Sequence, residues 1–155
     1  MGIRDLARDQ ARIQAGRGTT MASVAPLVVC LAFLWPFGGG GRTVHMMAGS
    51  VTPGAHGTVQ VNTGNNGNTT VDVKAHALAP SSSLTPAENA YVLWIQPPDQ
   101  APQNQGRIKV NQNEDAELHT KTAYKRFQVF ITAEENAKTE SPEGPKVLSA
   151  DVSRG

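Results

Sequence analysis

The stretch YVLWIQPP, Tyr91–Pro98, decides the fold of this 155-residue chain. Five apolar residues run unbroken from Tyr91 to Ile95, Gln96 follows, and Pro97 and Pro98 forbid further strand pairing. It reads as the central strand of an all-β domain. Successive side chains of a strand point to opposite faces. Tyr91, Leu93 and Ile95 therefore share one face, and Val92, Trp94 and Gln96 share the other. Gln96 predicts that the even face meets water.

The segments on either side of it alternate with period two. Val44–Ala48 is a first strand, and Val59 and Val61 alternate with Thr58, Gln60 and Asn62 in a second. TGNNGN, Thr63–Asn68, is rich in residues that tolerate positive φ and predicts a hairpin loop. From Thr69 to Leu78, Val71, Val73, Ala75 and Ala77 lie on one side, with Asp72, Lys74 and His76 on the other. Such alternation marks a strand with one wet face. Residues 79–89 and 97–105 read as polar loops around the central strand. Ile108 and Val110 mark the next strand, Asn111–Asp115 a turn, and Leu118, Thr120 and Thr122 its partner. Arg126–Glu134 alternates through Phe127, Val129, Ile131 and Ala133. Residues 135–145 are loop, and Lys146–Val152 is the last strand. No helical periodicity follows residue 41. Seven to eight short strands with turn signals between them predict an antiparallel immunoglobulin-like β-sandwich over 42–155. An open barrel is the competing all-β arrangement.

Residues 1–41 have a different character. Arg4, Arg8, Arg12 and Arg17 stand against Asp5 and Asp9, and sixteen mostly apolar residues follow at 22–37 (ASVAPLVVCLAFLWPF). A positive n-region ahead of an apolar run of this length predicts a helical signal peptide or an uncleaved signal anchor. The run falls short of the ~20 residues of a spanning helix and contains Pro26. Gly38–Gly41 links it to the β-domain. The expected location is extracytoplasmic, periplasmic or secreted. Contact with the membrane is expected only through residues 22–37, if they stay attached. Cys30 raises the question of lipidation, but Val29 is a poor lipobox residue and the apolar run continues to Phe37, which disfavours it.

Charge and composition exclude several classes. The chain carries 14 basic and 13 acidic residues. Ten basic and eleven acidic residues remain after residue 41, so the body lacks the clustered positive charge that nucleic-acid binding needs. One cysteine allows no internal disulfide. Aromatics make up 5% of the chain, which predicts a thin aliphatic core.

HALAPSSSLTP (His76–Pro86), AYVLWIQPP (Ala90–Pro98), APQNQGRIKV (Ala101–Val110), YKRFQVFITAEE (Tyr124–Glu135) and SPEGPKVLSADV (Ser141–Val152) carry a resemblance. Together they resemble a group of exported bacterial domains, known mainly from soil bacteria such as the Acidobacteria, for which no activity is established. The Tyr-Val-x-Trp strand before a proline loop is more loosely similar to the extracytoplasmic C-terminal domain of membrane-bound anti-sigma factors. The resemblance covers roughly residues 44–152 and implies a β-sandwich outside the cytoplasmic membrane. It departs from the anti-sigma factors in that only about twenty residues precede the apolar run, too few for a domain that would hold a sigma factor.

Chemistry-bearing residues form no recognisable motif. His45, His56, His76 and His119 show no metal-ligand spacing, and only a site assembled across strands would pair them. Ser81, Ser82 and Ser83 lie near His76 and Glu88 in sequence but lack nucleophile-elbow glycines. Asn111, Asn113, Asp115 and Glu117 alternate like calcium ligands, without the turn glycine such a loop wants, so a solvated turn is expected. No catalytic residue, metal ligand or cofactor is assigned.

The strand parities point instead to a contact face. If Tyr91–Gln96 neighbours Arg126–Glu134, then Val92, Trp94 and Phe130 form an exposed apolar patch, a feature that monomers seldom leave without a use. The alternative is an inward Trp94, like the buried tryptophan of immunoglobulin sandwiches. The expectation is a non-enzymatic exported domain of the bacterial envelope whose patch binds a protein or envelope component. A hydrolase using loops around Ser81–Ser83 and Gln103–Gln105, or a structural spacer, are the alternatives.

Overall fold

The computed structural model describes residues 41–64 and 66–154. The targeting segment, Cys30 and the expected cleavage region lie outside them. Among the described residues no helix is long and apolar enough to cross a membrane.

Eight strands follow in order: β1 (Arg42–Ala48), β2 (His56–Thr63), β3 (Thr69–His76), β4 (Ala90–Gln96), β5 (Gln103–Ile108), β6 (Ala116–Thr122), β7 (Arg126–Glu134) and β8 (Lys146–Ser153). They form one antiparallel sheet in the order β5-β4-β7-β8-β1-β2-β3-β6. β1 serves both halves of it. Arg42–Met46 pair with β2, and Met47 and Ala48 pair with β8. The sheet curls until its two edges approach, and Thr120 Oγ1 of β6 donates to Gln105 Oε1 of β5 at 2.7 Å. The all-β, antiparallel expectation is met by a nearly barrel-like sheet. The only helical turn described is the 3₁₀ segment Ser81–Ser83.

The alternation seen in the sequence builds the main core. Val59 and Val61 of β2, Val71, Val73 and Ala75 of β3, Tyr91, Leu93 and Ile95 of β4, and Val129, Ile131 and Ala133 of β7 all belong to one buried cluster. Burial of each of the valine, leucine and isoleucine side chains stabilises the fold by about 1.5–3 kcal/mol relative to exposure. The Tyr91 hydroxyl reaches the rim of this core and donates to the carbonyl of Ala79 at 2.7 Å. Burial pushes its phenol up to about 12.

One strand differs from expectation. The sequence places a loop over 97–105 and a strand at Ile108–Val110, whereas β5 spans Gln103–Ile108. Its residues are polar because it is an edge strand with one neighbour, so no apolar alternation announces it. It also carries a bulge. The register against β4 shifts between Leu93 and Trp94, opposite Gly106, whose φ of 114° favours glycine. Val110 instead makes an isolated bridge to Ala116.

Candidate functional site

β4 and β7 are neighbours, which meets the condition set in the sequence reading. Trp94 lies directly opposite Phe130, and Val92 opposite Thr132. Their rings stack with centroids 6.3 Å apart. Val92, Trp94 and Phe130 form a cluster of their own, apart from the main core. The expectation of an exposed patch is corrected: Val92 and Trp94 are 0% exposed and Phe130 is 2% exposed. The inward alternative fails too, since Trp94 does not enter the main cluster. The tryptophan lies on the second face of its strand, and that face has its own cover.

The cover is the loop between β7 and β8. Ala137 packs on the cluster. From the β5 side, Asn104, opposite Trp94 in register, donates through Nδ2 to the carbonyls of Ala137 (3.1 Å) and Thr139 (2.8 Å). From the β7 side, the buried Glu134 carboxylate accepts the backbone N–H groups of Glu143 (3.2 Å) and Gly144 (3.0 Å). Gly144 lies so close to β7 that a Cβ there would stand 1.6 Å from the Ala133 carbonyl oxygen. The network runs down to the ring: Thr132 Oγ1 donates to Glu134 Oε1 at 2.5 Å and accepts the Trp94 indole N–H at 2.7 Å. Lys146 closes the remaining side with Nζ 4.2 Å from the centre of the Phe130 ring. No buried side-chain nitrogen or oxygen among the described residues lacks a partner. A fully satisfied polar network over an apolar cluster is a structural seal.

The serine loop and the Gln103–Gln105 segment do not come together. Ser81 and Ser82 line a cleft of about 450 Å³ with Glu88, Asn89, Arg107 and Lys109, and neither a histidine nor a residue of 103–105 lines it. Ser83 Oγ is spent on the Pro80 carbonyl, 2.7 Å away. The Asn111–Asp115 segment is a turn, as expected. Asn111 Oδ1 accepts the N–H groups of Asn113 (2.8 Å) and Asp115 (3.0 Å).

The outer face of β1-β2-β3-β6 is wet and carries all four histidines. His45, His56, His76 and His119 come one from each of these four neighbouring strands, and all are exposed. His119 is held by carboxylates on both nitrogens: Nδ1 contacts Asp72, and Nε2 lies 3.1 Å from Glu117 Oε1. The hydrogen bond to Asp72 raises its pKa above the ordinary histidine value. His76 Nδ1 lies 2.6 Å from Asp115 Oδ1. Among the described residues, no three His, Cys, Asp or Glu side chains converge in a way that could hold a metal ion.

A second surface feature lies at the proline end of β4. Pro97, Pro98, Phe127 and Val152 form the apolar part of an open groove of about 490 Å³, and Asp99, Arg126, Gln128 and Asp151 stand beside them. The groove uses the Pro97–Pro98 turn singled out in the sequence, but lies at the Gln96–Gln128 end of the β4–β7 pair rather than over Trp94 and Phe130. Nothing in the local sequence pairs Arg126 or Val152 with that turn; the β4-β7-β8 pairing does so. No protein family model, curated protein or solved structure matches the chain.

Proposed function

We propose that residues 42–155 are a non-enzymatic, exported β-sandwich domain of the bacterial envelope, of immunoglobulin-like type, that binds an extended segment of an envelope protein. The two halves that share β1 around one core, β1-β2-β3-β6 and β1-β8-β7-β4-β5, favour the sandwich over the barrel. The positive, then apolar, character of residues 1–37 supports export. The contact surface in this reading is no longer the Trp94 face, which is sealed, but the groove beside Pro97 and Pro98. That groove is the observation that carries the reading. It has an apolar floor, a rigid proline wall, and both signs of charge at its rim. This combination suits a short peptide whose side chains enter the floor while its backbone meets polar groups.

A photo-crosslinking residue at Gln128, in cells producing the full chain, tests it. Adducts with an envelope protein are expected from position 128 and not from Lys121 on the opposite half, and Arg126→Glu should reduce them severalfold. Equal adduct yields from both positions, or none from either, would favour a spacer over a binding domain. Recovery of the chain in the cytosolic fraction would remove the export part of the proposal.

A further inference from the structure

The β2–β3 register places His56 directly opposite His76. Their rings stack with centroids 5.5 Å apart and planes 29° from parallel. Each ring uses Nδ1 toward an acceptor of the protein. His76 Nδ1 is 2.6 Å from Asp115 Oδ1, and His56 Nδ1 is 3.5 Å from the Gly54 carbonyl oxygen. In a neutral imidazole, an Nδ1–H that donates in this way leaves the lone pair on Nε2. Neither Nε2 has a hydrogen-bond partner among the described residues. Two imidazoles therefore stand side by side at the surface, each with its Nε2 engaged by no other group among the described residues.

The other two histidines differ in just this respect. His119 has carboxylates at both nitrogens, which favours the cation and leaves no lone pair. His45 faces Thr58 across β1 and β2, so it has no imidazole opposite it. The face thus contains one histidine flanked by carboxylates at both nitrogens, one isolated histidine and one stacked pair.

We infer that His56 and His76 form a two-imidazole site for a late first-row divalent cation, with Asp115 orienting His76 and water completing the coordination. Imidazole suits Cu²⁺, Ni²⁺ and Zn²⁺, and Cu²⁺ binds most tightly to a given nitrogen site of this kind. With two protein ligands the site is open and exchangeable, unlike a structural metal centre with four. The surrounding charges nearly balance: Lys74 and Lys109 line the cleft beside His76 together with Asp115 and Glu117. Selectivity therefore rests on nitrogen ligation, which sets these metals apart from Mg²⁺ and Ca²⁺.

Calorimetric titration of the full chain with Ni²⁺ and with Cu²⁺ tests the assignment. One saturable site per chain is expected, tighter for Cu²⁺, with Mg²⁺ giving no heat. His56→Ala and His76→Ala should each weaken it at least tenfold, and Asp115→Asn about tenfold, the usual effect of removing the group that orients a ligand. His45→Ala and His119→Ala should leave it unchanged. The four histidines are exposed and Asp115 is half-buried, and circular dichroism is to check that each variant is folded. Cu²⁺ should also broaden the NMR ring signals of His56 and His76 before those of His45 and His119. Absence of a saturable site, unchanged affinity in both His56→Ala and His76→Ala, or loss confined to His119→Ala would overturn the assignment.

Discussion

The two halves of this sheet treat their outer faces in opposite ways. On β2, β3 and β6 the outer face is wet, and each strand alternates buried valines, alanines or threonines with exposed charged and polar residues. On β4 and β7 both faces are buried. Tyr91 through Ile95 are buried without interruption, as are Val129 through Glu134. The first half needs one apolar layer, the shared core. The second needs two, and the outer one comes from the chain itself, through the 136–145 loop. A continuous apolar run such as YVLWI is the signature of a strand covered on both sides. Gln96 marks only the point where the cover ends, at the tip of the strand.

Substitutions in the two halves should therefore differ sharply. Trp94→Ala has the largest expected effect. It removes a fully buried ring together with the indole N–H that Thr132 Oγ1 accepts, at a cost of about 3–5 kcal/mol in chemical unfolding. A cost below ~1 kcal/mol would mean that the face is open. Glu134→Ala comes next. It leaves the Glu143 and Gly144 amides and the Thr132 hydroxyl without their charged acceptor, and about 2–3 kcal/mol is expected. Hydrogen exchange should show faster exchange confined to the 136–145 amides. Asn104→Ala releases the loop only on the β5 side and should cost about 1 kcal/mol, with a smaller rise in the same exchange.

The wet half should respond weakly, and through pH rather than packing. His119 is raised by its bond to Asp72. A raised pKa means that the folded state holds the proton more tightly. The contribution is thus present below the ordinary histidine value and fades as pH rises through the folded midpoint. Asp72→Asn should bring the His119 midpoint, followed by NMR, back down toward that ordinary value. Any stability difference from the wild type should shrink as pH rises past it. An unchanged midpoint would show that the Asp72 contact does not form in solution.

How much of this is legible in the sequence follows from the range of the interactions. Strand parity depends only on neighbouring residues, so the two faces of Tyr91–Gln96 could be read directly, whereas the partnership of Trp94 with Phe130 stood only on the condition that their strands are neighbours. What covers a face depends on residues far along the chain. Asn104, Glu134 and Gly144 hold the seal from three separate segments, and none carries a local signal of that role. Glu134 looks like a solvent-facing end of strand, yet it is 2% exposed because the loop amides fold onto it. β5 escapes for a related reason: a polar edge strand with a bulge has no periodicity to show. The histidine pair is intermediate. His56 and His76 are twenty positions apart, and only the hairpin register, with TGNNGN at its turn, makes them opposite. Counting outward from that turn could have found it.

The seal over Trp94 is the central claim, and the tryptophan itself reports on it. In a Trp35→Phe background of the full chain, Trp94 is the sole tryptophan, and its emission can be followed with iodide as quencher. The account predicts blue-shifted emission that iodide does not quench, with both properties lost in Glu134→Ala. Red-shifted emission readily quenched in the otherwise unaltered chain would contradict it and restore the face of Val92, Trp94 and Phe130 as an open contact surface.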